Sequence, residues 1–600
     1  MERRAQRGGR RRPELAGRCL RCRAATHRPC EGSPWALALI CTALGVPTPQ
    51  TTITDVCDGG GVMHRPLLVT DFIDRARTYY GDETAVVATT GRRYTYSELA
   101  DRADRFSAVL QAAGIDSGDR VAVLDPNTHY HLEAAYGAMQ LGAIHTPLNY
   151  RLTPDDYAYI LADAGADAIY ADAAYADRVE AVRDQIPTTT FITDDPAAVD
   201  GDWQDADALL ADADPDDYDR PDMAEDDVIT INYTSGTTGD PKGVCRTHRN
   251  EVVHALLLST HHTITDTDTY LWTLPMFHAN GWGHIFAITG AGATHVCTRG
   301  VDAASVFDTI QAEAVSYLCA APTVLNMLLD YHEAHDVAAT GDADVRVATA
   351  GSAPPEATIR AVESALDWSL MHVYGATETG PLIATSDADR LLAAGGGSRA
   401  AMQKRQGIGL LGTELRVVDE HGNDVPRDNE TIGEIVVSGN QVMDRYWNKP
   451  DATERAFTDR VDGYFHMGDF AVVDDTGFVS ILDRKKDIII SGGENISSIE
   501  LEDTLFEHDA VGEVAVVPSP HDDWGETPKA FVVPASGDPN NPGVTTTALV
   551  EYTRAELASF KTVRRVEFVD ELPTTATGKV QKYELRAAEF ADEESLVGQG

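Results

Sequence analysis

From Ala85 to Tyr170 the sequence changes period repeatedly, passing from short β-branched and aromatic runs to longer stretches whose apolar residues recur three and four apart. Such alternation builds parallel sheets flanked by helices, because each helix returns the chain to begin the next strand in the same direction. Ala85 to Thr89 and Tyr94 to Tyr96, on either side of Gly91, read as a hairpin. Thr95-x-x-Glu98 is a capping box, and the helix it opens has the apolar face Leu99, Ala103, Phe106 and Leu110 and stops at Gly114. Strands from Val121 to Leu124 and near 143–146 and 168–170, with helices from Thr128 and after Thr153-Pro154, continue the pattern. The expected fold is α/β. A chain of 600 residues exceeds what one core organises, and the mixed pattern restarts on a smaller scale after Asp483. The sequence therefore divides into a large body with doubly wound sheets over 63–482, a charged stretch at 483–487 that can act as a hinge and a small lid-sized α+β domain over 488–600. Residues 194–227, dense in Asp, are expected to form a solvated connection.

The formal net charge is −46, from 95 acidic against 49 basic residues. Such a surface repels polyanions, so nucleic acid is not an expected partner. Its self-repulsion suits a saline cytoplasm, since the Debye length falls to about 3 Å at 1 M salt. Residues 1–62 break the pattern with ten Arg, five acidic residues and five of the eight Cys. Within them Cys19, Cys22, His27 and Cys30 have zinc-like spacing. No apolar framework surrounds those ligands, however, and the arginines oppose a cation. The run from Trp35 to Leu44 follows too long a basic stretch for a signal peptide and is too short to span a bilayer. The segment reads as a disordered extension, or as translated upstream sequence with the start at Met63. Cys245, Cys297 and Cys319 lie far apart and read as buried thiols of a reducing compartment.

A short apolar strand, Val228 to Ile231, runs straight into Tyr233-Thr-Ser-Gly-Thr-Thr-Gly-Asp-Pro-Lys-Gly243. A loop of this kind can wrap phosphate: glycines allow close backbone approach, hydroxyls and amides donate to oxyanions, and Lys242 adds a point charge. It is not a Walker A loop, because Lys242 stands between Pro241 and Gly243. Gly407-Ile-Gly409-Leu-Leu-Gly412 satisfies G-x-G-x-x-G but is followed by the alternating run Glu414 to Asp419 and not by a helix, so it reads as a turn into a strand.

The segment Tyr233 to Val244 resembles the signature loop of the adenylate-forming superfamily, which includes acyl-CoA and aryl-CoA synthetases, adenylation domains of peptide synthetases and luciferases. Four more segments match in order: Tyr374 to Gly380, Gly463 to Asp469, Asp483 to Asp487 with Ser491-Gly-Gly-Glu494, and Pro573 to Lys579. The resemblance covers roughly residues 66 to 590. It implies that a carboxylic acid is activated as an acyl-adenylate and passed to coenzyme A, with ATP, Mg2+ and CoA as co-substrates.

Carried over residue by residue, it places Thr234, Ser235, Gly236, Thr237, Thr238, Gly239 and Lys242 around the phosphates. Gly351, Ser352, Ala353 and Pro354 line the adenine pocket, and Tyr374, Gly375, Ala376 and Thr377 lie beside the nucleotide, with Thr377 donating to the α-phosphate. Glu378 and Thr234 hold the metal, while Asp469 accepts from the ribose with Arg484 beside it. Lys579 bridges substrate carboxylate and phosphate during adenylation; Lys486 is the hinge pivot, and Ser491, Gly492 and Gly493 line the pantetheine tunnel. Pro275 to Gly283 resembles the acyl-site segment of medium- and long-chain fatty-acid enzymes, with His278 on the carboxylate side and Trp282 gating the acyl tunnel. Ile490 and Asn495 depart from the Lys and Trp of some long-chain enzymes. The expected activity is that of a fatty-acid–CoA ligase in the cytoplasm, with a homodimer as one arrangement. The alternatives are an aryl-CoA ligase, a stand-alone adenylation enzyme, or a nucleotide-binding regulator without catalysis.

Overall fold

The computed structural model describes residues 65–234, 241–386, 392–393, 398–484, 486–491, 494–521, 524–558, 560–574 and 580–590. All but Arg65 belong to one compact unit, Pro66–Gly600. Among the described residues four sheets form. One has nine strands, parallel from Thr84–Val87 through to Ser369–Gly375 and closed by antiparallel edges. A second has eight, with Ile144–Pro147 and Val228–Thr234 parallel at its middle and Lys242–Thr247 turning back antiparallel. The helices between them bury a shared core in which Leu132, Tyr136, Trp272, Ile285 and Phe286 are all fully enclosed. A four-stranded antiparallel sheet follows, ending at Val479–Arg484, and the strands from Ile489 onward form a five-stranded sheet of their own. The result is a mixed α/β body with parallel sheets and a small C-terminal domain.

Local signals explain the elements. Thr95 and Glu98 complete a reciprocal capping box on Tyr96–Ala112, whose Leu99, Ala103, Phe106 and Leu110 are buried. Residues 194–227 correct the expected solvated connection. Asp205 caps the helix Ala206–Asp212, and Ala206 and Leu210, one turn apart, sink into the core beneath the Asp-rich surface. Residues 407–412 are only in part the expected turn: Ile408–Gly409 form the edge strand of the nine-stranded sheet, and the turn at Leu410 to Thr413 then leads into the strand Glu414–Val418.

The hinge is less exposed than its charge suggests. Asp483 and Arg484 close the strand Val479–Arg484, and Asp483 is 1% exposed because Oδ2 accepts from the amide and hydroxyl of Ser498, at 2.6 and 2.7 Å. No described helix is long and apolar enough to cross a membrane.

Candidate active site

Among the segments singled out by sequence, Thr234 ends a strand of the eight-stranded sheet, Gly375 ends a strand of the nine-stranded sheet, and Asp469 lies on the four-stranded sheet. Thr234 ends Val228–Thr234 and pairs with Lys242, so the eleven-residue loop is the tip of a hairpin. Residues 235–240, and with them Ser235, Gly236, Thr237, Thr238 and Gly239, lie outside the described residues, as do Gly492, Gly493 and Lys579. Lys242 reaches over the ring of Tyr446, its Nζ 5.1 Å from the centroid. The Tyr446 hydroxyl donates to Glu378 Oε1 at 2.8 Å, and the Met443 amide donates to the Glu378 carbonyl at 2.7 Å. Thr234, Lys242, Tyr446 and Glu378 thus form one chain of contacts. Burial and the Glu378 carboxylate push the Tyr446 phenol well above its ordinary range, so it stays a donor. Tyr446 escaped the sequence reading because it belongs to none of the five matched segments.

Glu378 sits in a tight loop. A Cβ on Gly375 would lie 1.7 Å from the Pro381 carbonyl oxygen, so only glycine lets the strand Ser369–Gly375 pass there. The Ala376 amide donates to Thr379 Oγ1 at 2.9 Å, which fixes Thr377 and Glu378 between them. Gly351, Ser352, Ala353 and Pro354 follow the neighbouring parallel strand Arg346–Thr349, so both loops emerge from the same strand ends. Tyr374 donates its hydroxyl to Asp469 Oδ2, and Arg484 Nε stands 3.5 Å from Asp469 Oδ1 across paired strands. Lys486 is half-buried, and burial followed by the positive charge of Arg484 pushes its ammonium down to about 8.

The segment Pro275 to Gly283 holds the least expected geometry. Ala279, Asn280, Gly281, Trp282 and Gly283 have φ of 47°, 56°, 58°, 54° and 77°, five consecutive residues in the left-handed region. For L-residues that region costs about 1–2 kcal/mol each, less for Asn, and it is normally visited by single residues. The turn closes on itself through Trp282 N–H to His278 O at 3.2 Å and Gly283 N–H to Ala279 O at 3.1 Å. It leaves His278 half-buried and Trp282 only 7% exposed. Behind it a Cβ on Gly281 would meet Trp272 at 2.3 Å. Next to Trp272 stands a fully buried cluster in which Tyr317 Oη lies 2.6 Å from His262 Nδ1 and 2.9 Å from His284 Nε2. Burial holds the His284 imidazole down at about 4, and its Nδ1 lies 2.8 Å from the Gly281 carbonyl, so it is neutral and donates there.

Among the described residues one further group, Glu434, Asp459 and His466, has the spacing of a metal site. His466 Nε2 accepts the amides of Arg460 and Val461 at 3.2 and 3.3 Å, and its Nδ1 lies 3.8 Å from Glu434 Oε1. Arg460 pairs with Glu434 at 3.2 Å, so a guanidinium already supplies positive charge to this carboxylate.

On the small domain Ser491 pairs with Gly525, and Trp524 beside it is 41% exposed. The His521 ring stacks on Trp524 at 4.7 Å and the Arg564 guanidinium lies 4.9 Å from its centroid. No sequence motif marked this aromatic and cationic platform.

Residues 72–447 match the family model described as AMP-binding enzyme, and residues 500–579 match the AMP-binding enzyme C-terminal domain. The chain belongs to the AMP-binding enzyme family. It is 38% identical over 545 residues to the Arabidopsis thaliana protein named "Probable acyl-activating enzyme 5, peroxisomal", covering 87% of this chain and 95% of that protein. It is 36% identical over 539 residues to a 2-methylpropanoate–CoA ligase of Humulus lupulus, with 87% and 95% covered. Its fold superposes on ATP-bound MatB from Rhodopseudomonas palustris with a TM-score of 0.76 at 28% identity, covering 87% of this chain and 99% of that one. The AMP-binding enzyme described here is an ATP-dependent acid–CoA ligase of the AMP-forming type. Its substrates are ATP, CoA and a carboxylic acid, with Mg2+ as cofactor.

Proposed function

We propose that this ligase activates an aliphatic carboxylic acid of short to medium chain. The observation that carries the reading is the wall behind Trp282: Trp272, His284 and Tyr317 are all fully buried, His284 is bonded to Tyr317, and the Tyr270 ring packs against all three, which would stop a long tail running past the indole. The 2-methylpropanoate ligase among the relatives supports the same end of the range. Medium and long fatty acids are the second reading, favoured by the resemblance of Pro275 to Gly283 to fatty-acid enzymes. That reading requires Trp282 to rotate out of its buried position. Differences of one methylene are worth about 1–3 kcal/mol, so the preference is measurable. AMP formation on a panel from acetate through palmitate, with 2-methylpropanoate, benzoate and cinnamate, tests it. Best turnover between C3 and C8 supports the proposal, whereas a maximum at palmitate or an aromatic acid refutes it.

In the proposed mechanism the carboxylate oxygen bonds to the α-phosphorus as the bond to pyrophosphate breaks. Thr234 to Gly239 and Lys242 receive the phosphates, Thr377 donates to the α-phosphate, and Asp469 with Arg484 holds the ribose. Gly351 to Pro354 would enclose the adenine, with Tyr374, Gly375 and Ala376 at its edge. The Thr234 hydroxyl and the Glu378 carboxylate, oriented by Tyr446, are hard oxygen donors of the kind Mg2+ requires, and they would hold it. A bound Mg2+ would supply charge neutralisation at the phosphates. His278 would face the acid carboxylate and Lys579 would bridge it to the phosphate. After pyrophosphate leaves, the small domain turns about Lys486, and the CoA thiolate attacks the acyl carbon past Ser491, Gly492 and Gly493, releasing AMP. The Trp524 platform beside Ser491 would stack the CoA nucleotide.

The setting we infer is a saline cytoplasm, supported by the net charge of −46. Thermal melting that is equal in 0.1 M and 2 M KCl would count against it.

A further inference from the structure

Three separate parts of the site meet at one side chain. Asn280, at the second position of the left-handed turn, is fully buried, and its Nδ2 donates to Glu251 Oε1 at 2.8 Å. That same oxygen accepts from Arg246 Nε at 2.6 Å, in an ion pair whose side chains are 1% and 0% exposed. Arg246 Nη1 donates to the Gln441 carbonyl at 3.0 Å, and Gln441 Cγ lies 3.2 Å from where a Cβ on Gly380 would stand, beside the Glu378 loop. Asn280 Oδ1 accepts from Asn232 Nδ2 at 3.3 Å and from Thr230 Oγ1 at 3.4 Å. Those two residues lie on the strand that runs into Thr234. One amide therefore joins the acyl turn, the phosphate strand and the buried base of the Glu378 loop.

A second clamp acts two residues on. Burial pushes the His254 imidazole well below its ordinary range, so it is neutral, and its Nε2–H faces the Trp282 carbonyl at 3.2 Å. Backbone held in a left-handed run needs such external bonds, because it persists only where its surroundings over-determine it.

We propose that Asn280 is a positioning residue for the acid substrate. Through the Arg246–Glu251 pair and the strand leading to Thr234, it locks the turn that aims His278 and Trp282, so that the acid and nucleotide subsites are set as one rigid unit. The proposal rests on the reading of Pro275 to Gly283 as the acyl site, and on nothing about chain length.

The test compares Asn280→Gly with Asn280→Ala in the full-length enzyme, using whichever acid the wild type turns over best. Glycine adopts the left-handed region freely, so the first variant removes the tether and spares the backbone, whereas alanine loses both. The expected result for Asn280→Gly is a KM for the acid raised at least tenfold, a KM for ATP within twofold of wild type, and a flattened acid preference across the panel. Asn280→Ala should show the same pattern, at least as strongly.

A wild-type acid KM in Asn280→Gly overturns the proposal, since the backbone conformation alone would then suffice. A fall in kcat common to every acid and to ATP, accompanying a lower Tm, also overturns it, because a merely structural residue behaves so. If the glycine variant does not fold, Asn280→Ser is judged by the same criteria. Failure of the wild type to turn over any aliphatic acid would refute the proposed function separately, before any variant is made.

Discussion

Tyr446→Phe isolates a side-chain contact that joins the strand pair ending at Thr234 and Lys242 to the Glu378 carboxylate. The substitution removes a hydroxyl that donates to Glu378 Oε1 at 2.8 Å and leaves the ring under Lys242 in place. A hydrogen bond to a charged group contributes about 1.5–3 kcal/mol. At about 1.4 kcal/mol per factor of ten, adenylation should slow by roughly 10- to 150-fold. Glu378 is half-buried, so water can replace the lost donor and the fold should barely notice. A fall in Tm beyond about 4 °C would point to structural damage instead. The assay is acid-dependent exchange of labelled pyrophosphate into ATP without CoA, set beside thioester formation from supplied acyl-adenylate. Slower exchange with thioester formation within about threefold of wild type is expected. Equal loss in both half-reactions would refute the argument that Tyr446 acts by orienting the carboxylate for the first one.

Three further outcomes follow, for Trp524 and Lys486 from the geometry and for Lys579 from the resemblance of its motif. Trp524→Ala should raise the KM for CoA about tenfold, in line with roughly 1–3 kcal/mol for stacking a base on an aromatic ring, and leave pyrophosphate exchange unchanged; an unchanged KM for CoA would remove the platform from the CoA path. Lys486 has its ammonium lowered to about 8 from 10.5, so between those values the unfolded chain binds more protons and stability rises with pH. Below about pH 8 the burial penalty is fully present, so Lys486→Met should melt above wild type at pH 7, with the gap closing toward pH 10; a gap that is constant with pH would contradict the burial. Lys579→Ala should cost adenylation about 10²- to 10³-fold, the range for one lost transition-state donor, yet still convert supplied acyl-adenylate to thioester. Pyrophosphate exchange at wild-type rate would exclude that lysine from the first step.

The sequence was most legible where local chemistry decides structure. Thr95 and Glu98 cap a helix by bonding to each other's backbone, and Gly91 turns a hairpin, with no need of distant partners. Glu378, Thr234 and Lys242 were singled out because their motifs are contiguous, and the fold brings them into one chain of contacts. What escaped depends on residues far apart in the chain. Tyr446 reaches Glu378 across 68 positions, and Asn280 meets Asn232 across 48. The left-handed turn was only partly legible: Asn280, Gly281 and Gly283 tolerate that backbone, whereas Ala279 and Trp282 favour ordinary backbone and are held otherwise by the contacts of His254, Glu251 and His284. The helix Ala206–Asp212 was hidden by its Asp-rich surroundings, because two apolar residues one turn apart are enough to anchor a short helix. Asp483 read as part of a charged hinge, and only the fold brings it to Ser498.

An acyl-adenylate forms only if the carboxylate attacks the α-phosphorus, and oxygen tracing reads that step directly. With the preferred acid labelled with 18O in both carboxylate oxygens, and with ATP, Mg2+ and CoA supplied, one labelled oxygen should appear in each AMP released and the other should stay in the thioester. Unlabelled AMP, or label in inorganic phosphate with ADP as the nucleotide product, would contradict an acyl-adenylate.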